Sequence, residues 1–286
     1  MMVINTINEL KEKIRFWKDQ SKQIGFVATM GYLHEGHLSL VRESKRSSEI
    51  TVVSIFVNPK QFGPQEDYNF YPRDLNRDRN LLEKEGVDLV FHPSVEEMYP
   101  DHYRTYVEVE ELQDKLCGKS RPGHFRGVCT VVLKLLNLVQ PDEAYFGWKD
   151  AQQVVILQKM VKDLNIPTKV VPLPIVRDND GLALSSRNTY LKPQERQAAL
   201  VLNKSLDLAA RLFSQGVKDA SLIKQKMVEL ISTEPLVRID YVEIIDLQNL
   251  NNIDKLEGDA LIALAAYVGR TRLIDNIRFI SGGIEK

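Results

Sequence analysis

Four short, largely apolar segments set between helical patterns restrict this chain to an alternating α/β architecture. Residues 24–30, 50–57, 87–91 and 143–147 have the length and hydrophobicity of strands buried on both faces, as parallel sheets require. Helical periodicity fills the intervals near residues 38–48, 75–85 and 128–139, and strands joined through helices in this way form right-handed crossover units. Such sheets bind ligands outside the carboxyl ends of their strands. The segments that follow three of these strands, 30–37, 58–61 and 148–150, are therefore the places to look for chemistry.

Ahead of the first strand, residues 4–20 read as a helix whose apolar stripe, Ile7, Leu10, Ile14 and Trp17, packs on the sheet's edge. Residues 64–73 read as a loop rich in Pro, Asp and Tyr, 103–109 as a further strand, and 168–176 as an edge strand whose two prolines run into a linker. A domain boundary is expected there, giving domains 1–176 and 177–286. The second opens with a turn at 178–181, continues as helices over 193–214 and 220–232, and ends in strands over 239–245, 260–267 and 271–279. That order predicts a smaller α+β domain.

The first strand-to-helix junction carries the strongest chemical signal. Thr29-Met-Gly-Tyr-Leu-His-Glu-Gly-His37 breaks at Gly31 and delivers His34 and His37 to the first turn of a helix in which Leu38, Val41, Lys45 and Ser48 keep a 3.6-residue period. Unpaired backbone N–H groups and the helix dipole favour an anion there, and Gly36, lacking a Cβ, lets a bulky ligand approach the backbone. This reads as a phosphate site, although a helix-capping histidine pair without a ligand has the same spacing. Zinc fits less well, because the histidines are three apart rather than four and Glu35 is wrongly placed for a metalloprotease base.

Composition excludes several classes. Lys and Arg number 38 against 39 Asp and Glu, a net charge of −1, which gives no basic stripe for nucleic acid or an anionic membrane. No apolar run approaches the length of a membrane span and the N-terminus is not a signal peptide, so a cytoplasmic protein is expected. Cys117 and Cys129 form no Cys-x-x-Cys pair and read as reduced; with His124 they match no common zinc spacing, and no metal ligands are assigned. No two of the fifteen glycines stand two apart, which removes the Gly-x-Gly-x-x-Gly fingerprint, and Gly118-Lys119-Ser120 lacks the first glycine of a Walker loop because Gln113 occupies it. The basic run 119–126 could meet a carboxylate or phosphate, or be a solvated loop; Lys149 and Asp150, after a buried strand, are weighed in the same way.

His-x-Gly-His resembles the signature of the nucleotidyltransferase superfamily, which places ATP over the first strand and helix of a Rossmann-like sheet. Four ordered motifs narrow this. Thr29–His37 as quoted, Phe56-Val-Asn-Pro-Lys-Gln-Phe62, Tyr145-Phe-Gly-Trp-Lys-Asp-Ala-Gln-Gln153 and Leu184-Ser-Ser-Arg-Asn188 together resemble the pantoate–β-alanine ligase family across nearly the whole chain. That resemblance implies a Rossmann-like parallel-sheet domain that binds ATP and pantoate, a C-terminal lid, a homodimer, and Mg²⁺ accompanying ATP. The implied reaction is two-step: pantoate and ATP give an enzyme-bound pantoyl adenylate and pyrophosphate, then β-alanine displaces AMP. It further implies that His34, His37, Lys149, Ser185, Ser186 and Arg187 act on the phosphates, with Met30 also beside ATP. Gly147 and Asp150 fall where the family holds ribose; Gln61 and Gln153 fall on pantoate's hydroxyl and carboxylate, with Met30 and Phe146 around its methyls. Asn58, with Gln61, borders the incoming amine, and Trp148 is read as a rim aromatic without a role.

Those residue types suit the chemistry. A carboxylate attacking an α-phosphate must overcome anion repulsion, so positive groups matter more than a base. Amide side chains offer both donor and acceptor to a hydroxy acid. The alternative is another His-x-Gly-His nucleotidyltransferase that releases its adenylylated product.

Overall fold

The computed structural model describes residues 1–64, 66–280 and 283–285, and the chain divides into two compact units. The first comprises Met1–Asp114, Arg121–Gly147 and Ile156–Leu173; the second comprises Lys115–Ser120, Trp148–Val155 and Pro174–Lys286. In chain order the elements are β1 (Met2–Ile4), α1 (Ile7–Asp19), β2 (Ile24–Thr29), α2 (Glu35–Ser47), β3 (Ile50–Ile55), α3 (Leu75–Lys84), β4 (Leu89–Phe91), α4 (Val95–Met98), α5 (Cys117–Ser120), α6 (His124–Val139), β5 (Glu143–Gly147), α7 (Ala151–Asp163) and β6 (Lys169–Leu173). They continue with α8 (Pro193–Ser214), α9 (Ala220–Ile231), β7 (Val237–Asp246), β8 (Ala260–Val268), β9 (Thr271–Ile280) and β10 (Gly283–Glu285).

The first unit is a Rossmann-like parallel sheet in the order β1-β4-β3-β2-β5-β6. Its central strand β2 is buried on both faces, which is why Ile24, Phe26 and Val27 can be apolar in near succession. Val27, Leu33, Leu38, Val41, Val53, Leu82 and Val90 form part of one core that joins β2, β3 and β4 to α2 and α3. Strand order turns between β2 and β5: β3 follows β2 on one side, while β5 pairs with it on the other. This is the switch point where an open α/β sheet leaves a crevice at its carboxyl edge.

The second unit holds an antiparallel sheet, β10-β9-β8-β7, and two long helices, α8 and α9, over one core that includes Leu202, Leu206, Ile223, Met227, Ile262 and Ile277.

Local expectations differ from the structure in four places. Ile4 leaves the expected first helix and ends β1, parallel to β4, because Thr6 caps α1 by accepting the Glu9 N–H. The strand expected at 103–109 is absent, and the Val107 N–H goes instead to the Thr130 hydroxyl at 3.0 Å. The run 119–126 is not one loop, since α5 takes its start and α6 begins at His124, four residues before the expected helix. Trp148 is not at a rim: it is 5% exposed, with the Arg278 guanidinium 4.0 Å above its ring and its carbonyl accepting from Asn276.

Candidate active site

The β2–α2 corner is shaped by three backbone devices. Thr29, last in β2, donates its hydroxyl to the Ser54 carbonyl at 2.8 Å and accepts the Gly31 N–H at 3.2 Å. Gly31 and Tyr32 then turn the chain with φ of 82° and 51°, and the left-handed values favour glycine at the first of them. Asp78, buried on α3, accepts the Tyr32 N–H at 2.7 Å and the Leu33 N–H at 2.8 Å, one on each carboxylate oxygen. Burial pushes the Asp78 carboxyl above its ordinary range against the pull of those two amides. Sequence reasoning passed over Asp78. Its signal was an acid sharing the stripe of Leu75 and Leu82 on one helix face.

His34 caps α2 and its Nδ1 accepts the Gly36 N–H at 3.2 Å, while the Nδ1 of His37 accepts the His34 N–H at 3.3 Å. The rings lie 4.1 Å apart between centroids. A neutral imidazole that accepts at Nδ1 carries its proton on Nε2. Both histidines are therefore set as Nε2–H donors at a helix N-terminus, which is the polarity an anion requires.

The 58–61 turn stands after β3, beside this corner, since Phe56 donates its N–H to the Thr29 carbonyl at 3.0 Å. Asn58 is buried and fully engaged. Its Oδ1 accepts from the Lys60 N–H at 3.2 Å and the Tyr99 hydroxyl at 2.8 Å, and its Nδ2 donates to Gln61 Oε1 at 3.0 Å and the Gly127 carbonyl at 3.1 Å. Those four bonds tie the side chain to the turn, to α6 and to Gln61. Gln61 Nε2 stands 3.2 Å from Met30 Sδ, which joins two of the residues expected around pantoate. The Gln61 carbonyl is held by His124 Nδ1 at 2.8 Å and Arg121 at 3.3 Å. Arg121 in turn pairs with Glu66 at 2.6 Å; burial resists ionisation of Glu66, but the guanidinium wins and holds its carboxyl below the ordinary range. With Arg126 paired to Glu108 and laid over the Tyr106 ring, the basic run is largely neutralised. Phe146 is buried near the end of β5, and a Cβ at Gly147 would meet nothing within 4 Å, so the backbone there is open to a ligand.

The remaining expected residues belong to the second unit. Lys149 and Asp150 lie in the single 3₁₀ turn after β5, their charged groups 3.5 Å apart, and Asn276 fastens the Lys149 carbonyl at 3.1 Å. Gln153 is half-buried on α7 beside Gln152, whose amide instead bridges the Cys117 N–H and the Lys115 carbonyl. Ser185 caps a 3₁₀ turn, Ser186–Tyr190, by accepting the Arg187 N–H at 3.3 Å. The turn is tied at its base: Arg177, bridged to Ala183, makes a two-pronged ion pair with buried Asp275 at 2.7 and 2.9 Å. No three His, Cys, Asp or Glu side chains among the described residues converge as a metal cluster.

A family model of pantoate-beta-alanine ligase matches residues 2–278 of the chain. The chain belongs to the pantoate-beta-alanine ligase family. It is 58% identical over 277 residues to the pantothenate synthetase of Caldicellulosiruptor saccharolyticus, covering 97% of this chain and 99% of that one. With the Thermotoga petrophila pantothenate synthetase it shares 57% over 276 residues, 96% of this chain and 99% of the relative. The crystal structure of the Thermus thermophilus pantothenate synthetase superposes with a TM-score of 0.92 at 45% identity, covering 96% of this chain and 98% of that one. The ligase of Francisella tularensis, solved with β,γ-ATP and β-alanine, superposes at 0.80 and 36% identity over 98% of this chain and 97% of the other. The described residues contain no helix long and apolar enough to cross a membrane.

Proposed function

We infer that this chain is a pantoate–β-alanine ligase, condensing pantoate with β-alanine at the expense of ATP to give pantothenate. The observation that carries this is the end-to-end match to ligases of that name, 58% identical over 277 residues. We propose the adenylate route. A pantoate carboxylate oxygen attacks the α-phosphorus of ATP and expels pyrophosphate; the amine of β-alanine then attacks the acyl carbon, and the C–O bond to phosphate breaks to release AMP.

The proposed roles follow the family resemblance. The Nε2–H groups of His34 and His37 meet phosphate oxygens, a reading supported by the capture of both Nδ1 atoms by backbone amides. Lys149, Ser185, Ser186 and Arg187 add positive charge and donors on the transferring and leaving phosphates, and Gly147 and Asp150 hold the ribose. Gln61 and Gln153 take the carboxylate and hydroxyl of pantoate, with Met30 and Phe146 against its methyls. Mg²⁺ is proposed to arrive with ATP. The residues offered to the phosphates are donors and cations, so the ion's ligands would be phosphate oxygens and water, as suits a small, strongly hydrated cation. For the second step no base is assigned, and positioning with AMP as a good leaving group supplies the acceleration.

The proposal extends to ATP and pantoate binding by residues 1–176, a lid role for 177–286, and a homodimer in the cytoplasm. Incubation with Mg-ATP and pantoate, with and without β-alanine, tests the activity. AMP and pyrophosphate should accumulate catalytically only with both organic substrates; ADP in their place would overturn the route. An adenylylated product released without β-alanine would instead favour the alternative nucleotidyltransferase.

A further inference from the structure

The amide of Gln61 has a defined polarity, and its origin lies outside the residues that face the substrate. The Gly127 carbonyl can only accept and the Lys60 N–H can only donate, so the two backbone groups fix which end of the Asn58 amide is nitrogen. Tyr99 takes up the remaining capacity of Oδ1 at 2.8 Å. Asn58 must then present N–H to residue 61, and the atom it meets, 3.0 Å away, must be Oε1. The Nε2 of Gln61 is turned the other way, toward Met30 Sδ. The contact with α6 depends on a missing side chain: a Cβ on Gly127 would overlap the Lys60 carbonyl and the Gln61 N–H. Tyr99 is itself held, 8% exposed, by ring contacts with Phe56 and Tyr103.

We propose that Gly127 and Tyr99 are positioning residues which act through Asn58 to fix Gln61 as a donor toward the pantoate oxygens. Without that polarity Gln61 could present its oxygen to a carboxylate, where two acceptors repel; with it, selection for an anionic hydroxy acid is built in before substrate arrives. The inference rests on the reading of Gln61 as a pantoate residue.

Tyr99→Phe removes one oxygen and keeps the ring. It should raise the pantoate KM about two- to tenfold, the worth of one neutral hydrogen bond, while kcat at saturating pantoate and the KM for ATP stay near wild type. Gly127→Ala should act in the same sense and more strongly, because the 58–61 turn must move. In a Gln61→Ala background the added effect of Tyr99→Phe should vanish, since both act at one point. Additive effects, or an unchanged pantoate KM in Tyr99→Phe, would overturn the proposal. If Gly127→Ala does not fold, Tyr99→Phe decides alone. A second readout is independent of turnover: the side-chain amide resonance of Gln61, identified by its loss in Gln61→Ala, should shift in Tyr99→Phe. A shifted resonance with no ligase activity in the wild type would sink the pantoate reading and keep the positioning; an unshifted one would sink the positioning.

Discussion

The His34–His37 corner and the Ser185–Arg187 turn use one device, an N-capping side chain ahead of a helical turn, and are braced in different ways. At the corner a single buried carboxylate, Asp78, takes two backbone N–H groups of the loop itself. At the turn one long-range brace is a side-chain pair, Arg177 with Asp275, below the segment that carries Ser185. The first arrangement pins the atoms that aim the histidines. The second pins the base, and short-range hydrogen bonds shape the turn above it, among them Asn188 N–H to the Ser185 carbonyl at 3.0 Å and the Thr189 hydroxyl to the Ser186 carbonyl at 2.8 Å. Preorganisation is therefore expected of the corner, whose brace acts on the loop that aims the histidines, and the turn depends on the pair beneath it.

Breaking the pair beneath the turn should have the largest effect. Asp275→Ala leaves the Arg177 guanidinium buried without its counter-charge, and such losses cost about 3–5 kcal/mol of stability. Thermal unfolding monitored by calorimetry checks this; a loss below about 1 kcal/mol, the worth of an exposed pair, would show that the brace is not what holds the turn.

Next comes the corner's chemistry. His37→Ala should slow adenylate formation about 10²- to 10³-fold, the usual result of removing one preorganised donor from a developing charge. Pantoate binding should change far less. Single-turnover kinetics separates the two, and near-normal chemistry would remove the phosphate role from His37.

A smaller effect is expected from Asp78→Asn, which turns one acceptor into a donor facing an N–H. About 1–3 kcal/mol of stability should be lost for the unsatisfied amide, together with some kcat, because the loop that aims His34 loosens. A variant as unstable as expected but with full kcat would show that the corner does not need its brace. Gln153→Ala sits at the low end: it should raise the pantoate KM about tenfold, or about 1.4 kcal/mol, with little change in stability. An unchanged KM would contradict its assignment to pantoate.

The difference in bracing also explains what could be read from the sequence. The corner was legible because its elements are consecutive: an apolar strand, Gly31, and two histidines within four residues. Helix α8 could be read to its ends from period alone, and β7, β8 and β9 to within two residues. Asp78 was not legible, because its partners lie 45 and 46 residues away and nothing local marks a carboxylate as a backbone acceptor. Arg177 and Asp275, 98 residues apart, are more hidden still. The false strand at 103–109 had suitable residues, but its Val107 N–H bonds to the Thr130 side chain instead of a neighbouring strand; β1 had an edge on β4 but only three residues to show for it. Trp148 read as a rim aromatic because its cover, Arg278, comes from β9. Partners set by tertiary contact are what a single sequence conceals.

The central claim is attack by the pantoate carboxylate on the α-phosphorus of ATP. Pantoate labelled with ¹⁸O in its carboxylate should be turned over with β-alanine and Mg-ATP, and the nucleotide product weighed by mass spectrometry. One ¹⁸O transferred to AMP, with none in pyrophosphate, is the predicted result. Label in inorganic phosphate accompanied by ADP, or AMP carrying no label, would contradict it.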